Sequence, residues 1–160
     1  MLFRSKPIKK EIPEFEQKMV DLARVTRVTK GGKQLSFRAL VVIGDKKGRM
    51  GFGIGKGKDV TVAVSKAVDK AKKNIIKVNL NKSGTIPYEI RFKFKSAKIM
   101  LKPAPKGTGV KAGGPMRTVF DLAGVENIVG KMMGKTANKI NYVRATYLAL
   151  KDLPKLSNKD

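Results

Sequence analysis

The stretch Phe37–Lys58, FRALVVIGDKKGRMGFGIGKGK, decides how the rest of the chain is read. Phe37–Ile43 is rich in apolar and β-branched residues, the composition of a strand. Gly44-Asp45-Lys46-Lys47-Gly48 is a hairpin-length break with turn residues at both ends. Met50–Ile54 alternates glycine with larger side chains, so one face of this second strand is nearly bare backbone. Glycine inside a strand marks a bend or a close approach by another backbone. Lys46, Lys47, Arg49, Lys56 and Lys58 surround it. Two readings stand open. The bare face, fringed with cations, seats a phosphate chain; or the glycines let a twisted hairpin pack against the helix that follows.

Downstream, Asp59–Val78 reads as a helix. Asp59 is an N-cap residue whose charge suits the positive helix end. Val60, Val64, Ala67, Ala71, Ile75 and Val78 recur at helical spacing as one apolar stripe. Lys66, Lys70, Lys73 and Lys77 form a basic ridge that faces either RNA or water. The spacing of Asp69 and Lys73 allows one i,i+4 ion pair. Upstream, Leu22–Thr29 alternates loosely and predicts a first strand. Thr29–Lys33 is a glycine turn with two lysines, either an RNA-contacting loop tip or a solvated turn. Met1–Lys10 is basic and reads as a mobile segment. The first half is thus strand, strand, strand, helix, with a boundary in the polar stretch 79–85.

In the second half, Ile86, Tyr88, Ile90, Phe92 and Phe94 alternate strictly with polar or charged residues, predicting a half-buried strand. Its aromatics share one face and belong to a core. Ala97–Leu101 repeats the pattern and completes a hairpin. Lys102–Arg117 is rich in Gly and Pro and ends at a helix start, with Pro115 at the first helical position and Gly124 as the stop. Gly113 and Gly114 expose backbone N–H groups there, a ready anion site. Asn127–Met133 reads as a short helical piece. Asn141–Leu150 reads as a last helix with Val143, Tyr147 and Leu150 inward, and Lys151–Asp160 as a frayed tail.

Charge narrows the function. Lys and Arg number 36 against 12 acidic residues, a net charge of +24 that calls for a polyanionic partner. The cations run through the whole chain, which favours a folded body embedded in nucleic acid. There is no His and no Cys, so the usual general base, thiol nucleophile and thiolate metal site are missing. No apolar run reaches the roughly 20 residues of a membrane span, and the N-terminus has no apolar signal core. Three motifs tempt; the first two fail, and the third stays only as a weak alternative. Gly51-x-Gly53-x-Gly55-x-Gly57 is not the dinucleotide spacing, and Gly130–Thr136 is one residue short of a P-loop. Gly48–Gly51 matches the G-x-x-G of a KH module but sits between strands, not helices.

Taken together, the residues carry a family resemblance. Gly32-Lys33, Phe37-x-Ala39, Val42–Asp45, Gly48–Gly53 and Gly55-Lys56 look like the fingerprint of the ribosomal small-subunit protein five family. Gly107–Gly109, Ala112–Gly114, Met116-Arg117, Ala123–Val125 and Asn141–Thr146 resemble that family's C-terminal domain. The likeness runs from about Phe15 to about Leu150. Ile54 stands where many members have Tyr, Pro115 where they have a small residue, and the tail is short. The resemblance implies an α+β protein. Residues 1–14 would be a flexible basic segment and 15–80 a β-β-β-α domain like a double-stranded-RNA-binding fold without its first helix. Residues 86–150 would be an α/β domain with a left-handed βαβ crossover, and 151–160 a flexible tail.

It further implies a non-catalytic structural constituent of the small ribosomal subunit, without cofactor, metal, membrane or small-molecule substrate. The setting is the ribosome of a bacterial cytoplasm or an organellar matrix. The expected partners are small-subunit rRNA, ribosomal proteins four and eight, and mRNA near the entry channel. The protein would steady the head against the body and contribute to accuracy, with Arg27–Lys33 near a drug site. Expected RNA contacts are Arg24, Arg27, Lys30, Gly31, Gly32 and Lys33 at the loop. Around the glycine hairpin they are Lys46, Lys47, Arg49, Gly53, Gly55, Lys56 and Lys58. The second domain adds Lys106, Lys111 and Arg117. The competing readings are a free RNA-binding module or chaperone and, more distantly, a membrane-surface protein.

Overall fold

The computed structural model describes residues 14–156. The readings placed on Met1–Lys10 and on 157–160 lie outside the described residues. β1 (Glu16–Thr29), β2 (Gly32–Gly44) and β3 (Arg49–Gly57) form an antiparallel meander, followed by α1 (Val60–Lys73) and a short β4 (Ile76–Lys77). The sheet order is β1-β2-β3-β4. β1 starts at Glu16, earlier than its alternation suggests, because a register shift between Met19 and Asp21 interrupts the pattern while pairing continues to Glu16↔Gly44.

The helix expected over Asp59–Val78 stops at Lys73. Asn74 caps it, Ile76 pairs with Met50, and the Val78 N–H donates to the Gly48 carbonyl at 2.6 Å. Ile75 and Ile76 are β-branched, and a waiting strand edge takes the chain out of the helix. Asp59 holds the N-cap position, but its side chain makes no cap hydrogen bond. The buried line of α1 is Ala63, Ala67 and Ala71, so the apolar stripe is narrower and smaller than Val60–Val78 suggests.

That line of alanines settles the glycine strand. A Cβ on Gly53 would lie 2.1 Å from the Ala67 carbonyl oxygen, one on Gly55 2.1 Å from that of Ala63, and one on Gly51 2.6 Å from that of Ala71. Gly53 and Gly55 are buried beneath the helix, so of the two readings the packing one holds, and these two glycines are not the exposed RNA contacts expected of them. The close backbone neighbour that strand glycines announce is α1 itself.

The second half holds β5 (Ile90–Phe94), β6 (Ala97–Pro103), β7 (Val110–Lys111), α2 (Gly114–Ala123), β8 (Ile128–Met132) and α3 (Lys139–Leu156). The sheet order is β5-β6-β8-β7, with β7 and β8 parallel and joined through α2. The strand expected from Ile86 begins only at Ile90, although Ile86 is fully buried. The helical piece expected over Asn127–Met133 is instead strand β8, antiparallel to β6 on one side and parallel to β7 on the other. A Cβ on Gly130 would press tightly on the Leu101, Met116 and Phe120 side chains, each at 3.3 Å. α3 continues beyond Leu150 to Leu156, held by the buried Leu153, where a frayed tail was expected.

The two halves share a core. One face of the first sheet, through Ala39, Val41 and Ile43, packs on α1. The opposite face, through Leu40, Val42, Met50 and Phe52, joins Phe120, Leu122, Tyr147 and Leu150 of the second half in one continuous cluster. The β2–β3 turn is bonded to the end of α2: the N–H groups of Lys46 and Gly48 donate to the carbonyls of Leu122 (3.0 Å) and Ala123 (2.9 Å). The Tyr147 hydroxyl donates to the Asn74 carbonyl at 2.9 Å.

Candidate nucleic-acid interface

β1 and β2 run past the third strand. β3 reaches only as far as Phe37↔Gly57, whereas β1 and β2 stay paired from Arg24↔Phe37 to Thr29↔Gly32. A two-stranded ribbon therefore projects from the sheet. Its tip is Lys30-Gly31, with Gly32 at φ 126° and the Thr29 hydroxyl donating to the Gly32 carbonyl at 3.0 Å. Strand alternation puts Arg24 and Lys33 on one face of the ribbon and Arg27 on the other. Arg24, Arg27, Lys30, Gly31, Gly32 and Lys33 are all exposed. Val28 beside them is 77% exposed, an apolar side chain that the described residues leave uncovered.

Arg27 meets residues far from it in sequence. With Lys56 and Lys58, it lines a hollow of about 430 Å³ that also includes Gln34 and Ser36. The ribbon and the entry to α1 thus present cations to one space. The turn at the other end of β3 is used differently. At the strand rise of about 3.3 Å per residue, Arg49 is roughly 23 Å from Lys56. The Arg49 Nε donates to Asp45 at 2.7 Å, its Nη2 to Glu14 at 2.8 Å, and its guanidinium lies 5.0 Å from the centre of the Phe15 ring. Lys46 pairs with Glu16 at 2.9 Å and, at φ 59°, bends its backbone onto α2. Lys46 and Arg49 are thus paired within the protein, and Lys47 is the exposed cation of the turn outside these ion pairs of the described residues.

Burial pushes the Asp45 carboxyl up. The Arg49 side chain and the Lys47 and Arg49 N–H groups outweigh it, and the carboxyl stays below its ordinary value. The hydrogen bonds that Arg49 donates to Asp45 and Glu14 raise its guanidinium above its own ordinary value.

In the second half, Lys106, Lys111 and Arg117 are exposed around the loop that leads into α2. Buried Asn127 shapes that loop. Its Oδ1 accepts from the Gly107 and Gly109 N–H groups at 3.1 and 3.2 Å, and its Nδ2 donates to the Ser83 carbonyl at 2.8 Å. Sequence reasoning placed no weight on Asn127, and nothing local marks it.

A second hollow, of about 550 Å³, follows β3 toward the junction of the halves and shares Lys56 with the first. It brings in Arg38, Lys70, Lys73 and Arg144. Lys70 and Lys73 belong to the ridge already noticed; Arg38 and Arg144 were not singled out. Among the described residues no cluster of three or more acidic, His or Cys side chains could hold a metal.

An α+β body of net charge +24, with two cation-lined hollows that share Lys56, has the electrostatic footprint of the nucleic-acid-binding class. The comparisons make this specific. Residues 15–79 match ribosomal protein S5, N-terminal domain, and residues 92–159 match ribosomal protein S5, C-terminal domain. The chain is 47% identical over 157 residues to small ribosomal subunit protein uS5c of Spinacia oleracea, covering 98% of this chain and 51% of that relative. It is 46% identical over 147 residues to small ribosomal subunit protein uS5 of Sulfurihydrogenibium sp., covering 92% and 75%. To uS5c of Emiliania huxleyi it is 48% identical over 140 residues, covering 88% and 87%. The chain spans about half the length of the spinach relative and larger shares of the other two. It belongs to the ribosomal protein S5 family, a structural and non-enzymatic family of the small ribosomal subunit.

Proposed function

We propose that this chain binds small-subunit rRNA chiefly through the ribbon tip and the Arg27–Lys56–Lys58 hollow, with Lys106, Lys111 and Arg117 as a second contact. The observation that carries the reading is the hollow, where cations from a hairpin arm and a helix entry converge with no carboxylate among the described residues of its lining. Lysine and arginine neutralise phosphates and release counterions, so affinity falls steeply with salt. Duplex RNA shows little sequence to side chains, and a projecting arm beside a basic hollow suits recognition by shape.

The finer role is to hold the head of the subunit against its body, beside ribosomal proteins four and eight, near the mRNA entry. The shared core supports this, because two RNA-binding halves fused into one body transmit force without a hinge. A contribution to accuracy follows from the same rigidity. The location is the ribosome of a bacterial cytoplasm or an organelle, as for the relatives.

Sedimentation through a high-salt sucrose gradient tests the reading. Co-migration with the small subunit after the salt wash is the expected result. Release into the light fractions, or a spread over all RNA, would overturn it in favour of a transient RNA-binding module.

A further inference from the structure

We infer that the groove at the junction of the two halves is a separate binding site for an RNA phosphodiester segment, one that clamps both halves with a single ligand. The inference rests on the RNA-binding reading above and extends it from Lys56 to Arg38, Lys70, Lys73 and Arg144, which that reading does not use.

Three observations carry it. First, the groove draws cations from four elements: Arg38 of β2, Lys56 of β3, Lys70 and Lys73 of α1, and Arg144 of α3, with no carboxylate among the described residues of its lining. The lysines in the last turn of α1 suit the negative end of that helix. That does not account for Arg38, Lys56 and Arg144 being gathered beside them. The i,i+4 pair that Asp69 could give Lys73 is not among the ion pairs of the described residues.

Second, Arg38 and Lys56 are directly opposite in the β2–β3 register. Like charges at opposed positions destabilise a sheet, and a bound anion relieves that repulsion. Third, the groove is built from backbone as well as side chains. β4 covers β3 only at Arg49 and Met50, so among the described residues the edge of β3 from Gly51 to Gly57 has no further strand. Every second residue along it points an N–H and a C=O outward. Across from that edge, Arg144 is held between two rings, 5.7 Å from the Phe52 centroid and 5.4 Å from that of Phe94. Its charge is aimed before any ligand arrives.

The groove is open and shares Lys56 with the Arg27–Lys58 hollow. A phosphate chain leaving the ribbon would follow it to α3. A single inorganic phosphate shares the chemistry but spans only part of the length.

The test uses the whole chain and an in vitro transcript of small-subunit rRNA. Lysine acetylation is read by mass spectrometry with transcript, with inorganic phosphate alone, and with neither. Affinity is measured against salt for the wild type, for K70Q/K73Q, and for K66Q as a control on the same helix. Protection of Lys56, Lys70 and Lys73 by the transcript is expected. The slope of log affinity against log salt should fall by about 1.4–1.8 in K70Q/K73Q, at roughly 0.7–0.9 per lost phosphate contact, and stay unchanged in K66Q. Arg144→Gln should weaken binding, with Arg144→Lys restoring part of it. If the wild type binds and protects Lys56 while K70Q/K73Q keeps its slope and Lys70 and Lys73 stay reactive, the groove inference falls and the proposed function stands. If inorganic phosphate protects them as fully as the transcript, the groove is a free-anion site and the inference also falls. If the wild type does not bind the transcript, both readings fall.

Discussion

A methyl group on Gly53 has no room. Its Cβ would sit 2.1 Å from the Ala67 oxygen and 2.6 Å from the Ala71 nitrogen, and neither backbone atom can swing aside. Gly53→Ala should therefore destabilise the fold by about 2–3 kcal/mol, roughly 4–12 °C in melting temperature for a protein of this size. Thermal unfolding followed by circular dichroism checks it. Asp45 makes a second residue-scale prediction. Its side chain is only 6% exposed, and it accepts from Arg49 Nε and two backbone N–H groups. Asp45→Ala should cost about 1.5–3 kcal/mol near neutrality, the range for hydrogen bonds to a charged group. The carboxyl is depressed in the folded state, so its contribution is complete above the unfolded value of about 3.9 and disappears as the pH drops through the folded one. Urea unfolding of both proteins from pH 7 down to pH 2 should show their difference closing below about pH 4. A difference constant with pH would refute the role given to the charge.

Among the elements, the projecting ribbon separates binding from stability. Beyond Arg24↔Phe37 it touches no third strand, and its lysines are exposed. Lys30→Gln with Lys33→Gln should leave unfolding within about 0.5 kcal/mol of the wild type. The same pair should lower the salt slope for rRNA by about 1.4–1.8. Parallel melting and binding curves test both halves of that statement. The elements also show how far the sequence could be read. The β2–β3 hairpin and α2 were legible because each carries its own punctuation: Gly44 and Gly48 for one, Pro115 and Gly124 for the other. β8 was not. Ile128–Met132 is too short for periodicity to separate helix from strand, and pairing with β6 and β7 decides it. β4 was hidden likewise, since only the edge of β3 tells Ile76 to leave the helix. In the candidate interface, Arg27, Lys56 and Lys58 were visible as cations at a turn and a helix start. Arg38 and Arg144 were not, because they meet only once the halves dock. The glycines of β3 signalled a close approach, and only the placement of α1 identified what approaches.

For the molecule as a whole, the shared core predicts a single cooperative transition, despite two sheets and two family domains. Calorimetric and van't Hoff enthalpies should agree. Gly124→Ala, which adds strain at φ 82° and a contact 2.2 Å from the Lys46 oxygen, should lower that one transition without splitting it. Two separated transitions in the wild type would show that the joint carries little of the stability. The same joint has a consequence for how the chain comes into being. The sheet face bearing Leu40, Val42, Met50 and Phe52 is made early, and its cover arrives with Leu122, Tyr147 and Leu150. On the order of 70 residues separate the end of the first half from that last helix. At synthesis rates of about 5–20 residues per second, the nascent first half keeps an apolar face open to water for roughly 4–14 s. During that interval it is a partly finished, strongly basic surface emerging in sight of RNA and of any chaperone waiting at the exit.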